Sequence, residues 1–360
     1  MELMSEEKKL SVQAMTDWAS RCLEKQGATQ DVAQAMAKHL VAGDLLGFRT
    51  HGLLRLRYNL QALQSGQTKP SGRAEVLQQR AAIELWDADL LSGLYIVPQA
   101  VARAIEMARE CGTGTVIVRR TQHVAALAVY LEQAVAAGML IQMMCSTPAQ
   151  EVVAPYGAKS ACFSPNPFAI GAPTQTDPIL LDMSLSMTAA GKVRTALAEQ
   201  RQLPYAALIT PAGDYSCDPA TFVADPPSVL ASLGGKELGY KGTGLNLFSE
   251  LWTLALSDYG RQDALEADAD ANTVWLQVVD PTALAPAGAF EQQASALVAA
   301  LQNADPIDPQ HPVRVPGAGA LATRRRQVEH GLEYSAATWR QLLWCAEFCD
   351  EPLPTVATAQ

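Results

Sequence analysis

Apolar residues recur at helical spacing over residues 11–26, where Val12, Met15, Ala19, Cys22 and Leu23 share one side and Gly27 supplies the stop. The period resumes behind Thr29, a capping residue, and runs through Val32, Ala33, Met36, Ala37 and Leu40 to about Asp44. A third helix is predicted from about Gly52 to Leu63, ending before Gly66. The pattern then changes. Residues 82–86 read as a strand, with Asp87 and a turn at Gly93 behind it. Residues 98–110 are helical in pattern, with Pro98 suited to a first turn. Thr115, Val116, Ile117 and Val118 form a β-branched strand run. A helix over 124–137 and strands over 139–145, 168–170 and 179–181 follow, then a helix over 184–200 and a loop over 210–228. Leu245, Leu247, Phe248, Leu251, Trp252 and Leu254 predict a buried helix over 243–257. A strand over 274–279 and helices over 287–301 and 336–349 complete an α/β chain with mixed strands.

Composition narrows the function classes. The 360 residues suffice for two or three domains, and 49% are apolar. The formal charge of −10 and the lack of a basic face argue against a nucleic-acid partner. The densest basic run, Arg324-Arg325-Arg326, reads as a solvated face or a phosphate contact. Glu2, Glu6, Glu7, Lys8 and Lys9 interrupt any signal-peptide core. Glu132, Gln133, Gly138 and Gln142 break the apolar stretch near 124–145, which argues against a membrane span. Seven scattered cysteines without CxxC fit a reducing, cytoplasmic interior. The five histidines form no spaced metal set, so a structural zinc is not expected.

The chemistry concentrates around Gly47-Phe48-Arg49-Thr50-His51-Gly52-Leu53-Leu54-Arg55. If a helix starts here, His51 and Arg55 share one face and offer a proton-transfer group beside a carboxylate-binding fork. The plainer alternative is a capping Thr50, a first-turn His51 and a solvated Arg55. No GxGxxG follows an early strand, and no Walker A motif is present. Gly317-Ala318-Gly319-Ala320-Leu321-Ala322 fits GxGxxA but lacks the strand context. Gly239-Tyr240-Lys241-Gly242, read as preceding the 243–257 helix, suits either an anion seat or a tight turn.

Taken in order, these pieces resemble the malate/L-lactate dehydrogenase family of the non-Rossmann type. That family includes ureidoglycolate, sulfolactate and diketogulonate oxidoreductases and piperideine-2-carboxylate reductases. The resemblance spans about residues 10–348. It is carried by Thr50-His51-Gly52 with Arg55, the 82–87 strand, His123, Asn166-Pro167 and the 181–187 segment. Gly191-Lys192, Gly235 with Tyr240-Lys241-Gly242, and Arg314-Val315-Pro316-Gly317 complete it.

The resemblance implies a sulfolactate dehydrogenase-like α/β fold, mixed with α+β character. A helical unit (1–75) would pack with residues 270–350, a mixed-sheet nucleotide domain would occupy 76–269, and 351–360 would form a tail. It implies a homodimer that uses NAD or NADP, without a metal, to reduce a 2-oxo acid or a cyclic 2-imino acid. His51 matches the proposed proton donor, with an ordinary pKa of about 6.5. His123 matches a second acid–base histidine, and Asp182 a residue that orients the histidine or holds the nicotinamide region. Arg55 would clamp the substrate carboxylate, with Thr50 and Arg49 beside it. Met183, Ser184, Ser186, Met187, Thr188, Lys192, Tyr240, Lys241, Arg314, Gly317, Ala318 and Gly319 match cofactor-contacting positions.

Several positions depart from the family pattern. Gln122 and Val124 flank His123 where Asn and an aromatic or Gly are usual, which enlarges the expected pocket. Pro316-Gly317-Ala318-Gly319 lacks the usual carboxylate for a ribose hydroxyl. These changes motivate a second reading, a catalytically lapsed relative that binds a metabolite or partner through the same dimeric scaffold.

Overall fold

The computed structural model describes residues 10–264 and 270–354. Two helices open the described chain, α1 (Val12–Lys25) and α2 (Gln30–Leu45). Ser11 caps α1 by accepting from Ala14 N–H, and Gly27 adopts the left-handed conformation that ends it. The helix expected from Gly52 begins later. Two short 3₁₀ turns, Arg49–His51 and Leu53–Arg55, precede α3 (Leu56–Gln64). Gly52 separates the turns with a non-helical ψ of −145°, so His51 and Arg55 do not share one α-helical face.

Strands β1 (Glu75–Arg80) and β2 (Ile83–Asp87) form a hairpin. Helix α4 (Gly93–Cys111) starts earlier than expected. Gly93 is the first helical residue and not a turn residue, and a Cβ there would lie 2.4 Å from the Val124 side chain. Pro98 therefore falls inside the helix, where it withholds one backbone donor. Strand β3 (Thr113–Thr121), helix α5 (Ala128–Ala136) and strand β4 (Leu140–Ser146) follow, α5 being shorter than the expected 124–137. Next come β5 (Val153–Ala154), β6 (Phe168–Ala172) and β7 (Ile179–Met183). Helix α6 (Ala190–Ala198) begins only after an extended 184–189 segment, in which Ser186 bridges to Ser232.

The predicted 210–228 loop carries β9 (Tyr215–Ser216), which pairs with β8 (Leu208–Ile209). After β10 (Val229–Ala231), helix α7 (Gly235–Glu250) absorbs the glycine-rich run and continues into a π turn, Leu251–Ala255. Gly239-Tyr240-Lys241-Gly242 thus lies within a helix and not before one, so it offers no free N-terminal seat for an anion. The chain closes with β11 (Asn272–Val279), α8 (Ala289–Gln302), α9 (Ala318–His330) and α10 (Ala336–Cys349).

Among the described residues, seven strands form a mixed sheet ordered β1-β2-β3-β11-β4-β6-β7. Strand β3 is parallel to β2 and antiparallel to β11. Val116, Val118, Val274, Leu276, Ile141 and Met143 bury one face of this sheet against α4 and α5. Close approach needs small residues. A Cβ on Gly114 would lie 2.2 Å from the Ala104 carbonyl, so glycine lets α4 settle on β3. A second core joins Met15, Trp18, Leu23, Met36, Leu40 and Leu60 to Leu332, Leu342 and Cys345. Residues 270–350 thus divide: β11 enters the middle of the sheet, while α10 packs on the N-terminal helices. A smaller sheet, β5-β10-β8-β9, packs against Val193 and Ala196 of α6. No helix among the described residues is long and apolar enough to cross a membrane.

The expectation for 243–257 was a buried helix, and the structure corrects it. Ser249, Thr253 and Leu254 are buried. Leu245, Leu247, Phe248, Leu251, Trp252 and Leu256 instead stand exposed, with Phe248 at 56%. Hydrophobic periodicity identifies an apolar face but not what covers it.

Candidate functional site

The second core meets the end of β3 at a group of polar rings. The His51 and His123 imidazoles stack at a centroid distance of 6.5 Å and an interplanar angle of 3°. Tyr58 approaches His123 edge-on at 5.8 Å. His51 comes from the first 3₁₀ turn, Tyr58 from α3, and His123 from the chain just beyond β3. Thr50 Oγ1 lies 2.9 Å from His51 Nδ1, which fixes the ring and leaves Nε2 as its other nitrogen. Arg55 donates from Nε to the Thr50 carbonyl at 3.2 Å, so the clamp candidate and the proton-transfer candidate hold the same backbone. Asn59 in turn donates to the Arg55 carbonyl at 2.8 Å.

Electrostatics alter the expected behaviour of the histidines. Burial first, and the Arg55 charge second, push His51 down to about 4, not the ordinary value expected from sequence. His123 is driven well below its usual range by burial, then by Arg55, then by His51. Both rings are therefore neutral at pH 7 in the free protein. Arg55 is itself lowered by burial, with Asp270 opposing that effect and Arg194 adding to it. Burial and Asp270 hold the Tyr58 hydroxyl well above its ordinary range. Tyr58 and Asp270 were not singled out in the sequence, because the 3₁₀ turns and the return of β11 bring them together.

Asp182 lies on β7 and accepts the Ala128 backbone N–H at 2.9 Å, which caps the start of α5. Burial pushes its carboxyl up to about 6, against the pull of the Ala128 and Leu127 N–H groups. The hydrogen bond found on the Asp182 carboxyl goes to backbone and not to a histidine ring. Arg49 stands in the first turn. Thr50 packs against α6, because a Cβ on Gly191 would lie 3.2 Å from Thr50 Cγ2.

The candidate cofactor residues fall into two groups along β7. Residues 183–188 lie on the strand end of β10, where Met187 N–H donates to Ala231 O at 2.9 Å and Leu233 N–H donates to Leu185 O at 2.9 Å. Ser186 Oγ is 3.1 Å from Ser184 Oγ and donates to Thr188 O at 2.8 Å. Lys192, on α6, and Tyr240 and Lys241, on α7, are exposed. Arg314 and 317–319 lie beside the other end of β7, where Pro316 accepts from Leu180 N–H at 3.3 Å. Gly317 has a φ of +89°, and a Cβ there would lie 2.8 Å from Leu180 N. Gly319 faces open space.

Asn246 of α7, also missed in the sequence, ties these pieces together. It donates to Leu185 O and Gly242 O, both at 3.0 Å, and accepts from Asn166 Nδ2 at 3.0 Å. Glu250 accepts from Asn166 and pairs with Arg261 at 2.6 Å. Arg324, Arg325 and Arg326, read as a solvated run, pair with Glu132, Asp177 and Glu333 respectively.

Both nitrogen and oxygen of the Gln122 side chain, and His123 Nδ1, are buried without a protein hydrogen-bond partner. The Tyr58 hydroxyl faces Asp270 but falls short of hydrogen-bond geometry. Leaving such groups unpaired costs about 1–3 kcal/mol each, so the arrangement suits a polar ligand that completes them.

The whole chain is similar to known proteins. The chain is 27% identical to an L-lactate dehydrogenase of Cupriavidus necator, over 96% of this chain and 99% of that protein. A solved delta1-piperideine-2-carboxylate reductase from Pseudomonas syringae pvar. tomato superposes with a TM-score of 0.83 and 26% identity, covering 94% of this chain and 99% of that one. The sulfolactate dehydrogenase of Methanocaldococcus jannaschii shares the fold, with a TM-score of 0.85 at 23% identity over 96% and 98% of the two chains. The model of the malate/L-lactate dehydrogenase family matches residues 10–343, and the chain belongs to that family of oxidoreductases.

Proposed function

We propose that this protein is a homodimeric NAD(P)H-dependent oxidoreductase that reduces a 2-oxo acid or a cyclic 2-imino acid to the corresponding hydroxy or amino acid. The observation that carries this reading is the placement of Arg55, His51 and His123 around one buried polar point. The nicotinamide cofactor supplies the hydride when bound. The unpaired Gln122, His123 and Tyr58 atoms, with the open Gly319 edge, fit a polar nucleotide and substrate better than a sealed core. Met183, Ser184, Ser186, Met187, Thr188, Lys192, Tyr240, Lys241, Arg314 and 317–319 would hold it. Asp182 would brace this region by fixing the start of α5 against β7.

Arg55 binds the substrate carboxylate by paired hydrogen bonds. That pairing cancels the Arg55 charge that depresses both histidines, so their proton affinity rises as substrate binds. His51, held through Nδ1 by Thr50, then gives its Nε2 proton to the carbonyl oxygen as negative charge develops there. In the reverse direction neutral His51 accepts the hydroxyl proton. An iminium substrate carries its own proton and needs less from His51. Thr50 and Arg49 flank the substrate, and Arg49 can meet a second acidic group.

The exposed face of Leu245, Leu247, Phe248, Leu251, Trp252 and Leu256 supports a homodimer, because a second copy would bury it. For domain organisation, we propose a helical unit of residues 10–75 joined by α10, beside a mixed-sheet unit that includes β11; residues 1–9 lie outside the described residues.

Arg55→Leu tests the reading. It is expected to weaken reduction of carboxylate-bearing substrates by ~2–4 kcal/mol at the transition state. Equal loss on an uncharged analogue would defeat the clamp.

A further inference from the structure

The backbone that carries His51 and Arg55 rests on a carboxyl that the proposed chemistry does not use. Asp44, at the end of α2, is 4% exposed. Among the described residues no cation forms an ion pair with it. Its Oδ2 accepts the Leu53 backbone N–H at 2.9 Å. Its Oδ1 fills the space beside Gly52, where a Cβ would stand 1.9 Å away. Gly43 presses on the same backbone, its Cβ position lying 3.0 Å from the His51 carbonyl. On the far side Gln327 of α9 donates to the Asp44 carbonyl at 2.8 Å, which locks the end of α2 in place.

We propose that Asp44 is a positioning residue: its carboxyl, seated under Gly52, shapes the two 3₁₀ turns so that His51 reaches His123 and Arg55 stays on the Thr50 carbonyl. The three heavy atoms nearest the Cβ position of Gly52 all belong to the Asp44 side chain. Whatever the backbone prefers at this position, the Asp44 carboxyl by itself leaves no room for a side chain at 52. The two residues form a matched pair, and the pair sets where the turns bend.

The same contact makes the site sensitive to pH. The groups facing the Asp44 carboxyl are Arg49 on the adjacent turn, the Leu53 N–H and the Tyr334 hydroxyl ahead of α10. Burial outweighs all three and pushes Asp44 up to about 7. Near neutrality it passes between a charged acceptor, which holds the Leu53 N–H strongly, and a neutral acid, which holds it less.

The role of this residue in catalysis rests on the proposed function, whereas its hold on the backbone does not. Three variants separate the two. In Asp44→Asn, an isosteric amide keeps an acceptor for Leu53. Cofactor binding is expected to stay within ~2-fold, while kcat/KM for reduction falls at least ~10-fold above neutral pH and loses its inflection near neutrality. Gly52→Ala is expected to match or exceed that loss. Asp44→Ala/Gly52→Ala is expected to lose less stability than the two single losses added together, because removing the carboxyl makes room for the methyl. The His51 ring resonances, followed by NMR in labelled protein, are expected to shift in Asp44→Asn.

Wild-type kcat/KM, an unchanged pH profile and unmoved His51 resonances in Asp44→Asn would overturn the proposal. So would a harmless Gly52→Ala. If the wild-type protein reduces no oxo or imino acid, the functional reading falls, and the His51 resonances and the unfolding cycle still decide whether Asp44 positions the turn.

Discussion

His51 and His123 lie parallel, with ring centroids 6.5 Å apart and planes 3° from coplanar orientation. Two imidazoles this close, beside Arg55, cannot both be charged, and burial holds each neutral. A substrate carboxylate that cancels the Arg55 charge removes the second of the two effects that hold His51 neutral, burial being the first.

His51→Ala is expected to lower oxo-acid reduction by more than ~100-fold with cofactor binding nearly intact. The wild-type pH profile gives the sign. His51 titrates near 4 in the free protein, so kcat/KM for reduction should climb as pH falls toward that value. Oxidation of the hydroxy acid, which uses the neutral ring, should show no His51 limb until acid pH, leaving only the Asp44 inflection near neutrality. The limb for kcat should lie at higher pH than that for kcat/KM, because bound carboxylate neutralises Arg55. Near-normal turnover in His51→Ala would move the proton to His123 or to solvent.

Asp182→Asn should change stability with pH in a defined direction. The Asp182 carboxyl titrates near 6 in the folded protein, above its value of about 3.9 in an unfolded chain. Between these values the unfolded chain has released a proton that the folded one retains, so the wild type loses stability as pH rises from acid through 6. The asparagine variant, which keeps an acceptor for Ala128, escapes that loss. Its stability relative to wild type should improve with pH by on the order of 2–3 kcal/mol, read from denaturant melts. A pH-independent difference would mean that the carboxyl is already ionised in the fold.

Phe248→Glu tests the exposed face of α7. Phe248 packs edge-on against Trp252 at 5.9 Å, and both lie in the apolar strip. If a second copy covers that strip, a buried glutamate should shift the protein from dimer to monomer in light scattering. An unchanged mass would place the subunit contact elsewhere.

The fold was legible where a face and its caps agree. Helices α1 and α2 were located from their apolar stripes and from Gly27 and Thr29 at their ends, and α10 from its range of 336–349. The start of α3 was not, because the glycine at 52 marks a weak point without telling which way the chain turns, and the carboxyl that packs under it comes from eight positions earlier. One signal was available: Asp44 continues the buried stripe of Met36, Ala37 and Leu40 with an acid. Helix α9 was hidden because its exposed, arginine-rich surface has little apolar period. The meeting of His51 and His123 was legible only through family resemblance, since tertiary packing alone brings the α2–α3 connection to the end of β3. Tyr58 and Asp270 left no motif.

The most direct measurement follows nicotinamide absorbance with NADH and with NADPH against a panel of pyruvate, oxaloacetate, diketogulonate, piperideine-2-carboxylate and pyrroline-2-carboxylate. The account predicts turnover of at least one carboxylate-bearing compound, weakened by ~2–4 kcal/mol in Arg55→Leu. Turnover confined to the cyclic compounds would select the imino-acid reductase branch, and turnover of open-chain compounds the hydroxy-acid dehydrogenase branch. Tight cofactor binding without turnover of any of them would contradict the account and favour a lapsed relative that binds a metabolite.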